Sequence, residues 1–456
     1  MTEITEHNVI QHLLQPQPEI RNCIIVGNVL HTFESGMNKK VVIEGCEFRG
    51  QLRIETSHNS FSFEINNCGF ADEVSFESIM GQTSIRIHNC AIRGRLQIEG
   101  SFNELKLNHS QLSGTIMLSG SAGSVECISS AFDTSQQNQF LFNDFQVGSV
   151  ASFYKSCLHN AFFKKSRFRA TAIFDGCIFT NDMGRTNQNF CDINFSSDAY
   201  FNGAEFSDQA FFNGSNFYGL AIFSNNNLKA TPHFDFSGAI FQKRTVFDGS
   251  RYSQLVLKHS EFHDLVSFKD IKVDKLIISK ALFAQGADFL GARVTSGDRE
   301  TFRIIKNEFL KINNQVEALQ FKAKEMIAYE DELKNAKNWG DYALVSLNKL
   351  SNKHGLSWTR GLFFTTLVAL LFYLFYLWTL KSLPFQFGWK NCESFSQASG
   401  MTIKYFIRFL IITHDIDFMA EFGPTAASFI VDFIAKIFIG YGIYQTVQAF
   451  RKHGKL

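Results

Sequence analysis

Residues 199–223 read AYFNGAEFSDQAFFNGSNFYGLAIF. Large apolar side chains fall at Phe201, Phe206, Phe212, Phe217 and Phe223, with steps of five or six. The pattern runs on through Phe236, Phe241, Phe247, Tyr252, Leu257, Phe262, Phe268, Val273, Ile278, Phe283 and Phe289 to Val294. Two positions before many of these sites stands a small residue, as Ala199 before Phe201, Ala204 before Phe206 and Ala287 before Phe289. Neither a helix of 3.6 residues per turn nor one long alternating strand gives a step of five. A chain that turns a corner every five residues does: the large side chain fills the middle and the small one lets the next wall approach.

Upstream, the same organisation shows as a longer period. Ile43, Ile65, Ile87 and Leu107 are separated by 22, 22 and 20 residues. Phe48, Phe70, Ile92, Leu112 and Phe132 keep that register, as do Ile54, Phe76, Ile98 and Leu118. Cys46, Cys68, Cys90, Ser110 and Ser130 form a fourth column. Columns sharing one period mean that like stacks on like, one coil per period, which is a solenoid. About thirteen coils over residues 22–295, at ~4.8 Å per coil, predict a rod on the order of 60 Å long. Residues 180–194 break the step and are expected to bulge as a loop.

The small-x-large-x-x units of residues 199–223 resemble the pentapeptide-repeat family. The resemblance is close over residues 150–295 and looser over 20–150. It implies a right-handed, four-sided parallel β-helix and is nearly silent on chemistry, because a fold does not name a function.

The net charge of +1 argues against a polyanion-binding surface, so no nucleic acid is expected as a partner. The nine cysteines show no zinc-type CxxC pair. Cys46, Cys68 and Cys90 read as small buried fillers of one wall, and free thiols suit a reducing cytoplasm. The N-terminus lacks an apolar signal region. Residues 1–20 read as a cap, in which Ile4, Val9, Ile10, Leu13 and Leu14 form a short amphipathic helix over the open end of the rod, stopped by Pro16 and Pro18.

The pattern changes at Thr295. Phe302, Ile305, Phe309, Ile312, Val316, Leu319, Ala323 and Met326 step by three and four, which predicts a helix with a continuous apolar seam, N-capped by Ser296 or Asp298. The seam packs on the last coil or a neighbouring helix, or forms a coiled coil between copies. A second helix over Trp339–Leu350 completes a linker at 296–357.

Residues 358–456 read as a membrane domain. Gly361–Leu380 is twenty residues without charge, a spanning length. A second apolar stretch covers 425–450. Trp358, Arg360, Trp378, Arg451 and Lys452 are the expected interface anchors. Basic flanks on both spans place the rod and the C-terminus in the cytoplasm and the chain in the bacterial inner membrane. Met401–Phe422 is apolar but interrupted by Lys404, Arg408, His414, Asp415 and Asp417, and reads as an interfacial or re-entrant helix. His414, Asp415 and Asp417 are thin as a metal site, and no metal or cofactor is expected.

Asp432 and Lys436 lie four apart on one helical face near the middle of the second stretch, with Gly440 continuing that face. Charges there cost ~2.5–3.5 kcal/mol each on insertion scales, so the face should meet protein or water. It reads as pore lining or as a self-satisfied subunit contact. One two-span chain is too small to bury this face well, so a homo-oligomer is expected. Span, half-helix and span are similar to the plan of two-span potassium channels, whereas Gly440-Tyr441-Gly442 lacks a pore loop and is no filter. No phosphate loop, HExxH or GxSxG is present, so no enzyme is expected. The sequence therefore points to an oligomeric channel or pore with a cytoplasmic sensing rod that binds a protein or ligand, such as a stress or phage-defence effector. The alternative is a non-conducting scaffold that displays the rod at the membrane.

Overall fold

The computed structural model describes residues 2–33, 39–57, 61–132, 140–142, 144–180, 188–227, 229, 231–382, 392–415 and 417–454. The chain divides into two compact units, Met1–Thr301 and Phe302–Leu456.

The first unit is a parallel β-solenoid of about 12 turns. The columns read from the sequence are its rungs. Ile43 pairs with Ile65, Ile65 with Ile87 and Ile87 with Leu107. Ile54, Phe76, Ile98 and Leu118 are likewise in register. The turn count falls just short of thirteen because some coils are long: Phe132 pairs with Leu158 and Phe179 with Phe206, steps of 26 and 27. Of the loop expected at 180–194, residues 181–187 lie outside the described residues. Residues 188–194 have already rejoined the wall, with Phe190 fully buried.

The two halves of the solenoid turn their corners differently. In the second half the strands are mostly two or three residues long, as at Ala199–Tyr200, Glu205–Phe206 and Asn216–Phe217. In the first half a strand runs through a corner: Val74–His88, Leu96–Asn108 and Ile116–Glu126 are single elements. Gly100 and Gly120 sit opposite one another in these strands at φ +110° and +105°, a bend that L side chains resist. The five-residue reading therefore holds for the second half, and the first half keeps only the coil period.

Phenylalanine rings fill the interior of the second half. Phe201 stacks on Phe223 at 4.8 Å, Phe223 on Phe247 at 5.3 Å and Phe247 on Phe268 at 5.1 Å. Parallel piles run through Phe217–Phe241 and Phe212–Phe236, and neighbouring piles meet edge to face. Phe201, Phe206, Phe212, Phe217 and Phe223 are all at most 1% exposed. Such offset and edge contacts add ~0.5–1.5 kcal/mol per pair beyond burial.

The cysteine–serine column does more than fill space. Each corner holds a left-handed residue, Asn67, Asn89, His109 or Ser129, just before Cys68, Cys90, Ser110 or Ser130. The backbone N–H of Cys46 then donates to Cys68 Sγ at 3.4 Å, that of Cys68 to Cys90 Sγ at 3.4 Å and that of Cys90 to Ser110 Oγ at 3.2 Å. The column is thus a ladder of acceptors for corner amides that strand pairing leaves out. No disulfide joins Cys23, Cys46, Cys68, Cys90, Cys127, Cys157, Cys177 or Cys191, and burial pushes the Cys127 and Cys177 thiols well above their ordinary range.

At the N-terminus, helix α1 (Glu6–Leu13) buries Val9 and Leu13 against the first strands, while Leu14 stays 60% exposed. A strand at Thr2–Thr5, unforeseen in the sequence, pairs with Cys23–Val26.

The linker helices depart from the sequence reading. The expected continuous seam is broken into α2 (Arg299–Lys311), capped by Asp298, and α3 (Gln315–Asn335). Asn313 takes φ +59° and Asn314 caps α3 through its side chain. The two helices fold back on each other, with Phe309 stacked on Phe321 at 5.6 Å and Arg303 bonded to Glu325 at 3.1 Å. The seam fails where the chain turns: Ile312 and Val316 are 64% and 44% exposed. Helix α4 (Trp339–Asn352) follows. Helices α5 (Trp358–Trp378) and α7 (Ala426–Gly454) are long and apolar enough to cross a membrane, and α6 (Cys392–Leu410) lies between them in sequence. The helix read at 401–422 thus begins earlier and stops at Leu410.

Candidate functional site

Helices α5 and α7 pack closely because glycine faces threonine on both sides of the contact. A Cβ on Gly442 would lie 2.4 Å from Thr365 Oγ1, and one on Gly361 2.7 Å from Thr446 Oγ1. Against this pair α6 and the segment after it lay Tyr405, Phe409, Phe418 and Met419, which join Ala369, Tyr373, Tyr376, Ala435 and Ile439 in one core. The outer faces, including Phe363, Leu374, Phe433 and Ile437, are more than half exposed.

One ionic network is set into this module. The Asp432 carboxylate accepts from His414 Nε2 at 2.9 Å and from Lys436 Nζ at 3.0 Å. His414 Nδ1 lies 2.6 Å from the Ile411 carbonyl, and Lys436 Nζ also donates to the His414 carbonyl at 3.3 Å. The Lys436 ammonium thus sits on one Asp432 oxygen and the His414 imidazole on the other. Phe418 meets the imidazole edge-on at 4.5 Å and Phe409 lies beside it at 5.7 Å. His414 and Asp432 are thus cut off from water on those sides.

Asp432 is 3% exposed within a single chain. It therefore needs no neighbouring copy to shelter it: the turn after α6 brings His414 over the charge. The depth also changes. Asp432 is the seventh residue of α7, so ~9 Å from its start, nearer one end of the span than the middle. An open cleft of about 690 Å³ is lined by Arg408, His414, Asp415, Asp417 and Phe418, and touches the network at His414. Asp415 and Asp417 are exposed and His414 is turned to Asp432, so the three are not gathered as ligands. Among the described residues no cluster of three His, Cys, Asp or Glu side chains has metal-binding geometry.

Gly440 faces Ile412, 3.6 Å from where its Cβ would be, and takes no part in the network. Trp358 is 40% exposed and stacks on Phe450 at 4.9 Å, so one anchor also ties the two spans together. Trp378 is 78% exposed, and Arg360 and Arg451 are exposed. The Lys452 side chain lies outside the described residues.

A chain of buried polar contacts connects the linker helices to α7. Glu325 on α3 accepts from Arg303 and Lys306 on α2, and burial works against its charge while those two cations hold its carboxyl below the usual range. Glu330 on α3 accepts from Ser346 and Lys349 on α4, both at 2.7 Å. Asn352, at the end of α4 and fully buried, donates to the backbone carbonyl and side chain of Gln445 on α7. Beside this joint His354 is 5% exposed, and neither ring nitrogen has a hydrogen-bond partner among the described residues.

Sequence reading missed His414 as the third member of the network. The signal was a histidine in an apolar segment of a chain that also had to shelter a buried carboxylate, but the eighteen-residue separation includes Pro424 and spans no single helix. No protein-family model, curated protein or solved structure matches this chain. The likeness to pentapeptide repeats therefore rests on its own residues and coil geometry.

Proposed function

We propose that the chain is a membrane-anchored sensor whose solenoid binds a protein or ligand on the cytoplasmic side and whose membrane module, assembled from several copies, conducts ions. The observation that carries this reading is the His414–Asp432–Lys436 network at the foot of an open cleft. An anchor needs only apolar side chains, whereas ionisable residues within a span mark ion or proton pathways by default. Below the network the buried face of α7 turns apolar at Ala435, Ile439 and Gly442. In this reading that seam is the closed gate. Ligand binding on the solenoid shifts the linker helices, and α4, held to Gln445 through Asn352, pulls on α7 beneath the seam. Such a device suits an effector that depolarises the cell on a stress or infection signal.

Ion flux through proteoliposomes tests it. Flux should appear under some stimulus and be altered in selectivity or rate by Asp432→Asn and Lys436→Gln. Liposomes that stay tight throughout, with a monomer in detergent, would favour the second reading, a non-conducting scaffold. The observation on its side is that Asp432 is already satisfied within one chain.

A further inference from the structure

Helix α4 is built inside out for a helix in water. At 100° per residue, Trp339, Ala343, Leu347 and Leu350 fall within an arc of about 80°, and Leu344 extends it. Trp339, Leu344 and Leu350 are 62%, 66% and 67% exposed. The side fixed to protein is the polar one: Ser346 and Lys349 hold Glu330 of α3, and Asn352 holds Gln445 of α7. A soluble helix buries its apolar stripe and wets its polar one. Here, apart from the half-buried Leu347, the stripe has no partner among the described residues.

Three observations say what covers it. The helix ends six residues before α5, at the end of the module where Trp358 stacks on Phe450. Between Lys334 and Arg360 the chain has five basic side chains, those two with Lys337, Lys349 and Lys353, against one acid, Asp341. The stripe itself carries a tryptophan, the side chain most at home at headgroup depth. We propose that α4 lies on the membrane surface, with Trp339, Leu344 and Leu350 in the headgroup–acyl boundary and its basic flanks on anionic lipid. The inference rests on α5 and α7 spanning the bilayer, and it gives the linker a second function: α4 reads the membrane that the module is set in.

The test uses the wild-type chain in phosphatidylcholine bilayers doped with a photoactivatable phosphatidylglycerol. Crosslinked peptides are mapped by mass spectrometry. Label on 339–350 as well as on α5 and α7 is the expected result, several-fold stronger than with a photoactivatable phosphatidylcholine. The pair Leu344→Glu and Leu350→Glu should cut the α4 label several-fold and leave α5 labelled. Label on α5 and α7 alone would overturn this inference and leave the membrane reading standing. Label on none of the three would sink both. An α4 shielded from lipid and from aqueous radical footprinting alike would mean that a second copy or another protein covers it, and would also overturn the proposal.

Discussion

Asp432 is bonded to both His414 and Lys436, and the consequences of removing it differ from those of removing either partner. Asp432→Ala leaves His414 and Lys436 facing each other without their anion. A loss of roughly 3–5 kcal/mol is expected, as for other buried pairs broken on one side. His414→Ala should cost less, and the double variant less than the sum, with a coupling above about 1 kcal/mol. Unfolding of the solubilised protein, followed for all three variants, checks the cycle; additive losses would show that the two residues are not joined. At the helix contact, Gly442→Val should force α5 and α7 apart, because its Cβ would overlap the Thr365 hydroxyl. Thr365→Ala in the same chain should restore part of the lost melting temperature. Both glycines and both threonines stand in plain view in the sequence, yet nothing there says which glycine meets which threonine.

Among the elements, the phenylalanine piles are stacked in one dimension, so damage should stay local. Phe223→Ala removes a ring held between Phe201 and Phe247, at an expected cost of ~3–5 kcal/mol. Amide exchange should rise in the adjoining coils and leave α5 unchanged. The joint between α4 and α5 carries the pH dependence. Burial drives the His354 imidazole below its ordinary pKa, with Lys349 and Lys322 adding to the effect and Glu330 opposing it. A depressed histidine contributes its full stability above the unfolded value of ~6.5, and loses it as pH falls through the lower folded value. Protection of α3 and α4 amides, after correction for the intrinsic exchange rate, should therefore fall below about pH 6.5, and His354→Phe should abolish that fall. The split between α2 and α3 was legible in retrospect: Asn313-Asn314 offers a left-handed turn and an N-cap in succession, but the apolar spacing ran straight through it.

For the whole molecule, the proposed reading has α5 and α7 cross the membrane, which would return the chain to the side it left. Tags placed before α5 and at the C-terminus should be cut by protease from the same face of the membrane, and exposure on opposite faces would mean that α6 crosses as well. Self-association is a separate question once Asp432 is sheltered by its own chain. Among the surfaces left for contact between copies are the apolar outer faces of the helices, including Phe433 and Ile437. A defined oligomer in a native-like bilayer is the expected outcome, and its mass can be read directly by light scattering in nanodiscs.

What the sequence settled alone is whatever repeats or persists along it. The coil columns, the phenylalanine interior and the two long apolar helices follow from spacing and hydropathy, since neighbouring coils must stack like on like and a span needs length without charge. What the tertiary structure decided is every contact between segments with no common period. His414 reaches Asp432 only because the turn after α6 folds over α7, and Asn352 meets Gln445 across ninety-three residues. A buried charge states that it needs partners, but which ones arrive is fixed by how helices pack, and that geometry has no periodic trace in the chain.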